Sequence, residues 1–104
     1  MFARQVSIHL KSNALAAFAE TVEREGLPLL RKHPGFQDEI TLVSGRDAVA
    51  LSLWDTKENA EAYNKSGYAE MLKVLSTVTD GTPQLRTLKL PTPLFTRSPA
   101  MVAA

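Results

Sequence analysis

The 104-residue sequence predicts a single α+β domain in the order β-α-β-β-α-β. Two periodicities predict it. Four stretches alternate apolar and polar residues, as half-buried strands do, and two repeat apolar residues at helical spacing. The third observation is the punctuation. Pro34-Gly35, Ser44-Gly45-Arg46-Asp47 and Asp80-Gly81-Thr82-Pro83 fall between those stretches, where the chain must turn.

The first strand runs from Phe2 to Leu10. Phe2, Val6, Ile8 and Leu10 share one parity, interrupted by Arg4, while Ala3, Gln5, Ser7 and His9 share the other. Ser12-Asn13 offers a helix N-cap. Leu15, Phe18, Ala19 and Val22 then form a helical stripe, with Glu20, Glu23, Arg24 and Glu25 opposite. Gly26 and Pro28 predict a kink, because proline lacks an N–H and suits the start of a new turn. The helix should continue through Leu29 and Leu30 to His33.

The second strand, Phe36 to Val43, sets Phe36, Asp38, Ile40 and Leu42 against Gln37, Glu39, Thr41 and Val43. The third, Ala48 to Trp54, has Val49, Leu51 and Leu53 on one side and Ala48, Ala50, Ser52 and Trp54 on the other. Both sides are rather apolar, which predicts a central strand covered twice. Asp55-Thr56-Lys57-Glu58 resembles a capping box for the second helix. Ala60 and Tyr63 mark its buried face, Ser66-Gly67 weakens it, and Tyr68, Met71, Leu72 and Leu75 resume the stripe. Gln84 to Leu90 alternates as a last strand, with Arg86, Leu88 and Leu90 opposed to Leu85 and Thr87. Residues 91–104, with three prolines and no period, are expected to be a C-terminal tail after a domain of residues 1–90.

This order is the ferredoxin-like arrangement, a four-stranded antiparallel sheet with two helices on one face. Two helices cover one face only. The remaining apolar face predicts an interaction surface, most simply a two-fold homodimer packed sheet on sheet.

Composition removes several functions. Twelve Lys+Arg against 11 Asp+Glu leave +1, without the positive surplus that nucleic-acid binding by phosphate neutralisation needs. The same balance gives little reason to expect an acidic membrane surface as partner. No apolar run approaches the ~20 residues that span a bilayer. Gln5, Ser7, His9 and Lys11 break up any leader-like apolar stretch, so the expected location is the cytoplasm. Cysteine is absent, which removes disulfides and thiolate chemistry. His9 and His33 stand 24 residues apart with no acidic cluster in register, so no metal site is expected. Asp38 and Glu39 fall on opposite strand faces and cannot form one paired site. No Gly-rich phosphate loop precedes a helix, and no cofactor is expected.

Leu29-Leu30-Arg31-Lys32-His33-Pro34-Gly35-Phe36 resembles a proline–glycine–phenylalanine signature, and Leu53-Trp54-Asp55-Thr56-Lys57-Glu58-Asn59-Ala60 resembles a strand-to-helix junction. With Tyr63 beyond them and the element order, the chain resembles the antibiotic biosynthesis monooxygenase domain family over about residues 1 to 90. The resemblance implies a dimeric α/β barrel. It also implies a pocket between sheet and helices that a tryptophan such as Trp54 borders. If the activity follows, a phenol- or hydroquinone-like substrate would be oxidised without a cofactor. The haem-degrading relatives carry a histidine late in the second helix, where this chain reads Tyr68 to Leu75 without one, so haem breakdown is not expected.

Candidate site residues each have a structural alternative. Trp54, Tyr63 and Tyr68 could contact a planar ligand, or serve as packing with a hydroxyl at the rim. His9 could be a general base, or sit at a dimer seam or in solvent. Arg86 could stabilise a phenolate, or be an edge-strand charge, and Arg4 invites the same two readings. His33, before the Pro-Gly turn, is expected to be structural. An enzyme of this kind would need a cleft of roughly 300 Å³, whereas a non-catalytic dimeric module would fill that space with side chains.

Overall fold

The computed structural model describes residues 1–89. Leu90 and the tail expected for residues 91–104 lie outside the described residues. The strands are β1 (Phe2–His9), β2 (Phe36–Ser44), β3 (Asp47–Trp54) and β4 (Gln84–Lys89). They form one antiparallel sheet in the order β2-β3-β1-β4. The helices are α1 (Leu15–Thr21) and α2 (Leu27–Arg31), then α3 (Lys57–Ser66) and α4 (Tyr68–Leu75). This is the ferredoxin-like architecture that the two periodicities imply.

Each expected helix is two helices. Between α1 and α2 the chain makes a π turn over Val22–Gly26, and Pro28 then enters in the first turn of α2. A π turn widens the helix by one residue and displaces its axis, which gives the expected kink a specific form. Gly67 divides α3 from α4. It has no room for a side chain, since a Cβ there would lie 2.5 Å from the His33 ring and 2.9 Å from that of Tyr63.

The caps differ from expectation. Ser12 and Asn13 do not cap α1; Asn13 takes a left-handed conformation (φ 57°), and Ala14 holds the N-cap without a side-chain bond. Thr56, not Asp55, caps α3, accepting from the Asn59 backbone N–H at 3.1 Å, while Asp55 accepts from the Asn59 amide at 2.9 Å. Gly35 (φ 86°) makes the turn into β2 beneath that pair, where a Cβ would come within 2.2 Å of the Asp55 carboxylate.

Register assigns the faces. Ala48, Ala50, Ser52 and Trp54 of β3 point toward the helices, as do Arg4, Val6 and Ile8 of β1. The core lies there, with Leu10, Phe18, Trp54 and Tyr63 almost wholly enclosed. Burying an aromatic or aliphatic side chain of this size stabilises the fold by about 1.5–3 kcal/mol each. A bulge between Phe36 and Asp38 breaks the expected alternation of β2. Phe36 pairs with Trp54 and packs on its ring, whereas Asp38 pairs with Leu53 on the opposite face.

Among the described residues, that opposite face carries no helix. Its rows are Leu42–Val49–Ser7–Gln84, Ile40–Leu51–Gln5–Arg86 and Asp38–Leu53–Ala3–Leu88. Ile40 and Leu42 remain 46% and 58% exposed on it.

Candidate functional site

The helix-facing row across the middle of the sheet is Glu39–Ser52–Arg4–Thr87. Three of its four members, Glu39, Ser52 and Arg4, stand among Val6, Ile8, Phe18, Val22, Leu30, Met71 and Leu75, lining a cavity of about 50 Å³. Tyr63 from α3 and Tyr68 from α4 complete the wall. The cavity exists partly because Gly26, at the end of the π turn, lines it without a side chain.

Arg4 is the electrostatic centre. It is 3% exposed, and its guanidinium carbon lies 4.7 Å from the Tyr63 ring centre and 4.6 Å from that of Tyr68. One nitrogen donates to the Asn64 side-chain oxygen at 2.9 Å. Aromatic faces and an amide oxygen solvate the cation without neutralising it. Burial holds Arg4 below its ordinary pKa, against the raising influence of the two phenols. Guanidinium remains charged regardless. Burial also pushes the Tyr63 phenol up to about 12, with Arg4 opposing the rise, and moves Tyr68 in the same direction for the same reason. Both phenols are therefore neutral near pH 7, and Arg4 is left with positive charge to spare for an anion.

Glu39 closes the row at the edge strand. It accepts a hydrogen bond from the Thr41 hydroxyl. Burial raises its pKa most; the Thr41 bond lowers it, and neighbouring Asp38 raises it. Beyond Glu39 lies a second hollow of about 250 Å³ between α1 and β2, lined by Leu15, Ala19, Leu27, Thr41 and Val43 among others. The two hollows share Phe18, Val22 and Glu39 as walls. Neither alone reaches the roughly 300 Å³ usual for a ligand cleft.

The sequence candidates separate into those at this cavity and those away from it. Tyr63 and Tyr68 line it. Trp54 lies one layer behind, stacked on Tyr63 with ring centres 5.0 Å apart and donating its indole N–H to Ser52 at 2.9 Å. Arg86 pairs with Gln5 in the helix-free face and is exposed there. His9 sits at the end of β1, half exposed, 2.9 Å from the Asp47 carboxylate. Neither reaches the cavity. His33, expected to act at the helix C-terminus, packs edge-on against Tyr63 with ring centres 4.9 Å apart. Sequence reasoning missed Glu39 and Ser52 and gave Arg4 too little weight. The available signal was a cation at an apolar-parity position of a strand. Among the described residues, no three His, Asp or Glu side chains converge as a metal site, and no helix is long and apolar enough to cross a membrane.

No family profile matches the chain, and no curated protein matches it in sequence. Solved structures do match its fold. A monooxygenase of Streptomyces coelicolor, solved with the ligand nanaomycin D, superposes with a TM-score of 0.74 at 17% identity, covering 92% of this chain and 92% of that one. A Bordetella bronchiseptica protein described as a candidate antibiotic biosynthesis monooxygenase gives 0.71 at 17% identity, over 86% of this chain and 97% of that one. A Nitrosomonas europaea protein of unknown function gives 0.73 at 20% identity, over 94% and 93%. The chain therefore has the ferredoxin-like fold of the antibiotic biosynthesis monooxygenases, as the Pro34-Gly35-Phe36 and Trp54-Asp55-Thr56 segments suggested. At these identities the likeness is one of fold, and fold does not settle chemistry.

Proposed function

We propose that the protein is a cofactor-independent monooxygenase acting on a small phenol- or hydroquinone-like substrate. The observation that carries the reading is Arg4, an enclosed cation that borders an otherwise mostly apolar cavity between sheet and helices. A phenolate oxygen is its chemical complement. For a simple phenol, the substrate loses its hydroxyl proton and the phenolate transfers electrons to O₂. The peroxide so formed at a ring carbon collapses to a quinone and water, so phenol plus O₂ gives quinone plus H₂O. Arg4 would hold the phenolate oxygen, Tyr63 and Tyr68 would contact the ring, and Trp54 would fix Tyr63 from behind. The apolar walls would exclude water from the reduced intermediate. The neighbour described as a monooxygenase and solved with a bound ligand supports the use of this fold for monooxygenase chemistry.

The reading includes a homodimer. The exposed Ile40 and Leu42 beside the half-buried Val49 and Leu51 support a second copy packed on that face. The cytoplasm is the compartment it assigns. One observation favours a rival, a non-catalytic ligand-binding or structural module of the same fold: the inner cavity of about 50 Å³ is smaller than a benzene-sized ligand requires. Oxygen uptake with a panel of dihydroxy-aromatics distinguishes them. Uptake above a boiled control that falls in Arg4→Met supports the monooxygenase. No uptake with any member supports the rival.

A further inference from the structure

We infer that Glu39 determines specificity at this site, accepting a hydrogen bond from a second hydroxyl on the ligand, opposite the oxygen that Arg4 holds. The inference rests on the pocket reading above and adds to it a ligand requirement, a ring with a donor at its far end.

The geometry is that of one sheet row. Arg4 and Glu39 flank Ser52, one strand away on either side, and all three point to the helix side. Two strand spacings set their Cα atoms about 10 Å apart. Arg4 and Glu39 do not join in a salt bridge. Each side chain instead has its own local partner, Asn64 for Arg4 and Thr41 for Glu39. The cavity thus has a donor end and an acceptor end. Glu39 also stands where the inner cavity meets the outer groove, so a ring entering from the groove passes it.

The acceptor end depends on pH. Burial raises the Glu39 pKa above its ordinary value. The charged and titratable groups around it are Asp38 on its own strand, Arg4 on β1, Tyr63 on α3, Tyr68 on α4, and Glu23 in the π turn across the groove. Tyr63 and Tyr68 are neutral at pH 7 and below, leaving Glu39 as the member of the cavity whose charge changes on acidification.

The test uses the full chain and its single tryptophan, which stacks on a cavity residue and reports binding by fluorescence. Hydroquinone, 4-methoxyphenol and 1,4-dimethoxybenzene are titrated without oxygen. In the wild type at about pH 8, hydroquinone should bind roughly tenfold to a hundredfold tighter than 4-methoxyphenol, the range for a hydrogen bond to a charged group. That preference should shrink on acidification, as the carboxylate takes up its proton. Glu39→Gln should show a smaller preference that does not vary with pH, and Glu39→Asp should recover both preference and pH dependence in part. Circular dichroism verifies that each variant is folded. Equal binding of hydroquinone and 4-methoxyphenol by the wild type overturns the role of Glu39 alone. So does an unchanged pH-dependent preference in Glu39→Gln. Absence of binding by all three overturns the pocket reading and this inference with it.

Discussion

Replacing Arg4 with methionine should separate ligand binding from stability. The substitution keeps most of the side-chain volume and removes the charge. On the stability side, the variant loses two cation–π contacts, at about 0.5–2 kcal/mol each. It also loses a charge-assisted hydrogen bond to Asn64, at about 1.5–3 kcal/mol. Asn64 is exposed, so water takes over its oxygen and no orphan remains. Against these losses stands relief from burying a guanidinium, which costs several kcal/mol when no counter-charge is present. The terms nearly cancel, and urea unfolding should shift by less than about 2 kcal/mol in either direction. On the binding side nothing cancels. Loss of one donor aimed at an oxyanion costs about 2.7–4 kcal/mol, a factor of roughly 10² to 10³. The assay is quenching of Trp54 fluorescence by 4-nitrophenol, whose yellow phenolate also reports its own protonation. The wild type should favour the bound phenolate, and Arg4→Met should lose that preference while still binding 4-nitroanisole. Arg4→Lys should recover little, because a compact ammonium cannot lie flat against both tyrosines. Phenolate binding unchanged in Arg4→Met would refute the assignment of this cation to the ligand.

Three further outcomes follow from the same structure. Gly26 has helical backbone angles, and a Cβ there would meet the Met71 sulfur at an ordinary 3.5 Å. Gly26→Ala should therefore raise stability by about 0.5–1 kcal/mol in thermal unfolding, whereas Gly26→Leu should occupy the cavity and abolish phenol binding. The raised Tyr63 and Tyr68 pKa values favour the neutral phenol in the folded state, so their contribution to stability is full below about pH 10 and declines as pH rises through the folded value. Absorbance titration should show less tyrosinate in the folded protein at about pH 10 than in a urea-unfolded sample, which is about half titrated there. For Tyr63 the folded value is about 12. Leu51 lies at the centre of the helix-free face, and Leu51→Lys should lower the mass measured by light scattering from that of a dimer to 11.4 kDa with unchanged circular dichroism. A wild type already monomeric at micromolar concentration would remove the homodimer.

What the sequence disclosed and what it hid have physical explanations. Alternation in Phe2 to Leu10 and Ala48 to Trp54 sufficed to identify strands, because a period of two is a local property of the chain. It also sorted each strand into two rows. It could not say which row faces helices, because that depends on register with other strands. Arg86 shares a row with Leu88, and only its pairing with Gln5 sets it on the helix-free face. The bulge after Phe36 was hidden for a related reason. Alternation assumes an unbroken period, and the inserted residue is defined by a partner strand rather than by its own sequence. The difference at the α3 cap was a one-residue choice between neighbouring good caps. Asp55 and Thr56 can each accept from a first-turn N–H, and the left-handed turn at Gly35 leaves the Asp55 carboxylate bonded to the Asn59 amide instead.

The departures from local rules converge on one place. Arg4 interrupts an apolar row, Gly26 and the π turn interrupt a helix, and Gly67 divides another beneath Tyr63. Glu39 is a carboxylate on the helix-facing side of an edge strand, where burial works against its charge. Packing alone would favour an aliphatic residue at Arg4 and alanine at Gly26, since each change removes a desolvation or conformational cost. A fold that carries both in contact with one cavity bears a cost at a single site, and such costs are expected where a ligand is bound rather than where a core is merely filled. The Arg4→Met and Gly26→Ala experiments examine that reasoning together. If both variants are at least as stable as the wild type and one has lost phenolate binding, the charge is there for a ligand. If both are strongly destabilised, Arg4 and Gly26 belong to the packing of the core, and the cavity is a by-product of the π turn.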